Sequence, residues 1–180
     1  DNIIIATGGK SMELPNIKID DEKIIEYRKA MTLNKQPKKM VVIGSGAIGS
    51  EFAYFYNSIG TDVTLIEYLP DILPLEDVDI SKELNKSFSK SGIKIITNAE
   101  VINVETKAKG CKVIYKMNSK KDSIQCDVVL SAVGVKTNIE NIGLEELGII
   151  TEKEKINVDH YYKTNIDGIY AIGDVIKGPA

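Results

Sequence analysis

The stretch VVIGSGAIGSE, residues 41–51, sets three glycines at the spacing G-x-G-x-x-G between an apolar β-branched run and a segment with helical spacing. MVVI (residues 40–43) reads as a strand buried on both faces. AIGSEFAYFYNSI carries Ile48, Phe52, Phe55 and Ile59 at helical intervals before Gly60, which predicts a helix that Gly60 ends. TDVTLIE is a second β-branched strand, ending in the acid Glu67, twenty-three residues after Gly44. Strand, glycine turn, helix, strand and acid in this order predict a dinucleotide site. Gly44 makes the tight turn, Gly46 lets a pyrophosphate approach bare backbone, and Gly49 lets the helix close on the strand. The helix N-terminus supplies N–H groups to the phosphates, and Glu67 accepts from the adenosine ribose hydroxyls. Taken one at a time, the glycines serve equally well as a bare turn and Glu67 as a solvated strand end.

Charge narrows the nucleotide. Between Lys39 and Lys82 there is no Lys, Arg or His, whereas Glu51, Asp62, Glu67, Asp71, Glu76, Asp77 and Asp79 are acidic. A 2′-phosphate beside Glu67 would meet like charge with no local guanidinium, so NAD is expected over NADP. The net charge of −3 offers no basic stripe for nucleic acid, and no apolar run approaches the roughly 20 residues of a membrane span. The acidic start lacks the positive region of a secretory signal, so a cytoplasmic protein, or one of an organelle matrix, is expected. Cys111 and Cys126, with fourteen residues between them and no C-x-x-C pairing, read as reduced structural thiols.

The remainder gives the layout. DISKELNKSFSKSG predicts a second helix ended by Gly92, and KIIT a third parallel strand. VINVET, CKVIYKM and SIQCDVVLSAVG, separated by polar turns, predict an antiparallel three-stranded meander leading into a last parallel strand, DVVLSAV. A Rossmann-like α/β domain is therefore expected over residues 36–152. It is entered through QPKK, left through the charged KEK of residues 153–155, and flanked by segments 1–35 and 153–180. IIIATGG, VLSAVGV and IYAIGD are each an apolar strand closing on small residues, as strands do where a nucleotide lies against a sheet end. The first and third copies lie outside the predicted domain.

GSGAIGSEFAYFYNSIGTDVTLIE, followed by LP, VDISKEL, SGIKIITNAEV, VGVKTNIENIGLEELGI and TNIDGIYAIGDVIKGPA, resembles the flavoprotein disulfide reductases, and within them the dihydrolipoamide dehydrogenases. The resemblance runs over essentially all 180 residues, with independent motifs in the family's order. It implies an NAD domain inserted into an FAD domain, with IIIATGG the segment leaving the FAD domain and IYAIGD the segment returning. For NAD it implies Gly44, Gly46 and Gly49 at the pyrophosphate, Glu67 at the ribose, Glu51 toward the nicotinamide, Val101 by the adenine and Gly134 near the nicotinamide; Ile48 is also assigned to the cofactor. Thr7 and Gly8 resemble residues beside the FAD adenosine, and Asp174 the acid on the flavin's ribityl chain.

Where the family usually has Gly-Arg-Arg-Pro-Asn, this chain has Gly134, Val135, Lys136, Thr137 and Asn138, so only the glycine and asparagine are kept. The family's first glycine-rich loop, its C-x-x-x-x-C pair and its His-Glu base do not occur in these residues, and the single histidine, His160 in VDHYYKT, reads as a surface residue. In the whole enzyme the resemblance implies electron transfer from dihydrolipoyl groups to a disulfide, to FAD and to NAD⁺, in a homodimer serving a 2-oxo acid dehydrogenase complex. The chain by itself is expected to bind NAD(H) without FAD and without turnover, its partners being the FAD and dimerisation domains of the parent. Another NADH-dependent member of the family, or a stand-alone NAD(H)-binding module, are the alternatives. The apolar outer segments, residues 1–8 and 168–174, are expected to pair with each other or to mediate a dimer.

Overall fold

The computed structural model describes residues 1–178, so the last two residues of the 153–180 segment lie outside the described residues. In chain order the elements are β1 (Ile3–Ile5), β2 (Gly9–Ser11), β3 (Ile24–Ile25), a short helix α1 (Tyr27–Ala30), β4 (Lys39–Ile43), α2 (Ala47–Ser58), β5 (Asp62–Ile66), α3 (Val78–Lys90) and β6 (Lys94–Ile96). There follow β7 (Ala99–Lys107), β8 (Gly110–Met117), β9 (Lys120–Cys126), β10 (Val128–Ser131), β11 (Val135–Thr137), β12 (Thr151–Glu152), β13 (Lys155–Ile156), β14 (Ile169–Ala171) and a 3-10 turn at Gly173–Val175. They gather into two compact units, one of residues 11–134 and one of residues 1–10 with the chain from Val135 onward.

In the larger unit a five-stranded parallel sheet runs in the order β3-β10-β4-β5-β6. Its strands are nearly unbroken apolar runs because both faces are covered. Val42, Leu65 and Leu130 point into a core shared with Ala53 and Tyr56 of α2 and Phe88 of α3. Val41, Ile43, Ile66 and Val129 point the other way, against Val113 and Tyr115 of the meander. The meander β7-β8-β9 is antiparallel as the polar turns predict, and Asn118 and Ser119, both at positive φ, make the two-residue turn between β8 and β9. The α/β class, the parallel sheet and the meander therefore match the sequence reading. β3 does not figure in that reading: it is two isoleucines between charged neighbours, too short to show a period, yet it extends the sheet beyond β10.

The buried face of α2 is not the line of its largest apolar side chains. Its buried line is Gly49, Ser50, Ala53 and Tyr56, whereas Phe55 is 52 % and Ile59 46 % exposed, with Phe52 half-buried. Small residues bring the helix axis close to the strands, and Tyr56 anchors it by donating its hydroxyl proton to the Ala30 carbonyl at 2.6 Å. Close approach outweighs the area that the larger Phe55 and Ile59 would bury.

The smaller unit has its own core of Leu144, Ile149, Ile156, Ile169, Ala171, Val175 and Ile176. β1 and β14 pair in parallel, Ile3 with Ile169, Ile4 with Tyr170 and Ile5 with Ala171, so the two outer apolar segments do pair with each other. β12 and β13 form a hairpin turned by Lys153 and Glu154.

Candidate functional site

Register brings the C-terminal ends of four strands level: Ser131 of β10 lies opposite Ile43 of β4, Ile43 opposite Ile66 of β5, and Ile66 opposite Ile96 of β6. Ligands of open α/β sheets lie beyond such ends, and most of the residues singled out in the sequence follow directly from them. Gly44 leaves β4 at φ +93°, and a Cβ on it would stand 2.5 Å from the Ala132 carbonyl oxygen, just past β10. At Gly49 a Cβ would run into the Gly44 carbonyl oxygen, so the first turn of α2 rests on the turn that precedes it. Gly46 differs from both: it is exposed, at φ −63°, and a Cβ there meets nothing within 4 Å. Neither local strain nor crowding requires glycine at 46. The open space in front of it is where a ligand's phosphates would gain from a missing side chain.

Gly46 is also the N-cap of α2, and no side chain caps the helix. The N–H groups of a first turn have no intrahelical partner, and the positive end of the helix dipole lies there. An anion is the natural complement. Ile48 is half-buried in this turn, and Glu51 projects into solvent one turn on.

Glu67, immediately after β5, is 7 % exposed. Its Oε2 accepts from the Ser45 backbone N–H at 2.9 Å and from the Ser45 hydroxyl at 2.6 Å, and its Oε1 accepts from the Leu69 N–H at 2.8 Å. The acid thus does more than mark a strand end: it ties the middle of the glycine turn to the end of the neighbouring strand. Ser45 is fully buried, and its carbonyl accepts from the Leu73 N–H and the Ser50 hydroxyl, both at 3.0 Å. The sequence reading passed over Ser45, which sits at a freely variable position of the glycine pattern. Only a buried acid nearby to receive its hydroxyl marks it.

Val101 is half-buried at the bulge of β7, two residues beyond Ala99, whose N–H donates to the Glu67 carbonyl at 3.0 Å. Gly134, exposed at φ +128°, accepts from the Met12 N–H at 2.9 Å. Gly44, Gly46, Ile48, Gly49, Glu51, Glu67, Val101 and Gly134 therefore all belong to the larger unit.

Thr7, Gly8 and Asp174 belong to the smaller one. Asn138 organises the first two, its N–H donating to the Gly8 carbonyl at 2.8 Å and its side-chain amide to the Thr7 carbonyl at 3.1 Å. The Thr7 hydroxyl donates back to the Asn138 carbonyl at 2.6 Å. The asparagine kept from the family's pattern thus holds the Thr7–Gly8 backbone. Asp174 is half-buried on the 3-10 turn, with its Oδ2 3.4 Å from where a Cβ on Gly9 would lie. Val135 is exposed, and Lys136 bonds to Glu140 and Glu154. His160 is exposed with its ring against Tyr161, centroids 4.0 Å apart. Among the described residues no group of three or more His, Cys, Asp or Glu is placed to hold a metal, and no helix is long and apolar enough to cross a membrane.

Residues 1–180 match the family described as pyridine nucleotide-disulphide oxidoreductase. The chain is 46 % identical over 179 residues to a dihydrolipoyl dehydrogenase of Rhizobium etli, covering 99 % of this chain and 37 % of that protein. It is 38 % identical over 181 residues to a leghemoglobin reductase of Glycine max, covering 99 % of this chain and 35 % of that one. Among solved structures, LpdA of Mycobacterium tuberculosis superposes with a TM-score of 0.86 at 31 % identity, over 98 % of this chain and 38 % of that one. RclA of Escherichia coli, an HOCl-induced flavoprotein disulfide reductase, superposes with a TM-score of 0.87 at 27 % identity, over 99 % of this chain and 41 % of that one. The chain spans well under half the length of each of these proteins.

Proposed function

Because the chain belongs to the pyridine nucleotide-disulphide oxidoreductase family, we propose that its larger unit binds NAD(H) and that the longer protein of this type acts as a dihydrolipoyl dehydrogenase. The observation that carries the reading is the open, uncapped N-terminus of α2 behind Gly46, with the buried acid Glu67 fixed beside it. Gly44, Gly46 and Gly49 shape the turn that holds the pyrophosphate against the N–H groups of α2, next to Ile48. Glu67 spends three of its acceptor positions on Ser45 and Leu69 and keeps one toward the ribose. Val101 flanks the adenine, while Glu51 and Gly134 lie toward the nicotinamide. In the longer protein Thr7, Gly8 and Asp174 contribute to the FAD site. When held by these residues, NAD⁺ would supply the hydride acceptor for electrons that the longer protein takes from dihydrolipoyl groups. The same reading makes the longer protein a homodimer serving a 2-oxo acid dehydrogenase complex in the cytoplasm or an organelle matrix.

Cofactor choice tests the site. The region from Met40 to Ser81 has no cation to receive a 2′-phosphate, so NADH binds at least about tenfold more tightly than NADPH, a difference of roughly 1.4 kcal/mol. Titration of both nucleotides by fluorescence measures it, and equal affinities overturn the charge argument. Gly46→Val should abolish NADH binding while the far-UV circular dichroism stays unchanged; retained binding rules out this turn as the phosphate site.

A further inference from the structure

Cys111 and Cys126, which the sequence separates, are direct partners across the β8–β9 ladder. Partners in an antiparallel ladder have Cα atoms about 4.5 or 5.5 Å apart, and both distances fall within the roughly 4.4–6.8 Å that a disulfide bridges. Register also points the two side chains to the same face, and both are buried and free. The neighbouring Cys126 side chain and the Lys23 charge hold the Cys111 thiol below its ordinary value, against burial and the Asp20 and Asp127 charges, and the Cys111 thiol donates to the Lys23 carbonyl at 3.6 Å. The Cys111 side chain and burial push Cys126 up. The pair is not sealed in the core. A cleft of about 280 Å³ is lined by both cysteines and by Lys39, Lys107, Lys109 and Lys112. Its one acid, Asp127, is engaged by the N–H groups of Lys38 and Lys39 at 2.8 and 2.9 Å. Lys39 begins β4 and Gly44 follows its end, so the cleft lies at the opposite end of the strand from the glycine turn.

We propose that Cys111 and Cys126 form a redox dithiol, separate from the proposed nucleotide site, which a small hydroperoxide entering the lysine-lined cleft oxidises to an intrachain disulfide. The lysines stabilise the thiolate and the hydroxide or alkoxide that departs. The Cys111 thiolate attacks the nearer peroxide oxygen; an S–O bond forms, the O–O bond breaks, and the leaving oxygen departs as hydroxide or alkoxide and takes a proton from water. Cys126 then attacks the Cys111 sulfur, the S–S bond forms, the S–O bond breaks, and the Cys126 proton leaves with the departing hydroxide as water. Two thiols lose two electrons, and the peroxide becomes water or an alcohol plus water. A dithiol reductant reverses the state by exchange.

The test treats the folded 180-residue chain with hydrogen peroxide and follows free thiols, intact mass and cross-linked peptides. Free thiols should fall from two to none, with the mass lower by two hydrogen atoms, one peptide cross-link joining 111 to 126, and full recovery with dithiothreitol. Two thiols surviving a large excess of peroxide, a cross-link between chains, or oxidation straight to sulfinic acid would each overturn the proposal. In Cys126→Ser the intermediate should persist as a sulfenic acid on Cys111, captured by dimedone. Dimedone capture at Cys126 in Cys111→Ser, with none at Cys111 in Cys126→Ser, would also overturn it.

Discussion

Glu67 has four lone-pair positions and gives three of them to its own chain. Glu67→Gln keeps the size of the side chain but places an NH₂ group where one oxygen received N–H or O–H protons. A donor then faces a donor in a buried site, at a cost of about 1–3 kcal/mol. Urea unfolding should show that loss, and NADH titration should show weaker binding in the same variant; unchanged stability would mean that the three bonds contribute nothing net. Ser131 poses the reverse case. It is 3 % exposed, and among the described residues its hydroxyl is the only buried side-chain oxygen or nitrogen without a partner. Neighbouring Leu130 faces the helices, so alternation turns Ser131 toward the meander side, where Ile43 and Ile66 line the apolar core. Removing an unpaired buried hydroxyl is worth about 1 kcal/mol, so Ser131→Ala should raise the urea midpoint, and a lower midpoint would reveal a partner for the hydroxyl. Neither residue stood out in the sequence for its structural part. Glu67 was legible as an acid at the right distance but not as a clamp, because its clamp is Ser45, a residue whose type the glycine pattern leaves free.

At the scale of elements, α2 separates what glycine does for folding from what it does for binding. Gly49→Ala drives a methyl group into the Gly44 carbonyl, so the helix must lift off the turn, and a loss of about 3 kcal/mol or more is expected. Gly46→Ala meets open space at an ordinary φ and should cost no more than about 1 kcal/mol as a change of N-cap. Thermal unfolding of the two variants side by side measures the contrast; equal losses would contradict the packing described for Gly49. The β4-α2-β5 unit, α3 and the meander were readable because each is long enough to display its period and is bounded by glycine or polar turns. The face of α2 was not, since a hydrophobic stripe ranks Phe55 and Ile59 above Gly49 and Ala53, while the sheet demands small side chains at the contact. β3 escaped because two residues have no period at all.

At the scale of the whole chain, the only glycine-rich turn among the described residues that opens a long helix belongs to the proposed NAD site. The residues proposed for FAD are Thr7, whose hydroxyl is already bonded to Asn138, together with Gly8 and Asp174. Hydrogen bonds worth about 0.5–1.5 kcal/mol each stand against an association cost of at least about 4 kcal/mol. The purified chain should therefore be colourless in the flavin band, with no NADH oxidation by a dye acceptor and no NAD⁺ reduction by dihydrolipoamide. Turnover that disappears in Gly46→Val would show that more of the active site is present than these residues account for. The hydrogen bond from Met12 to Gly134 bears on the order in which the molecule assembles. It joins the two ends of the larger unit, so once that unit has folded, the search of β1 for β14 no longer spans nearly the entire polypeptide. The effective loop shortens by almost two doublings, which lowers the closure entropy by about 1 kcal/mol. The most distant strand pairing in the chain thereby becomes a local event, and the parallel pair β1–β14 is set to zip up last.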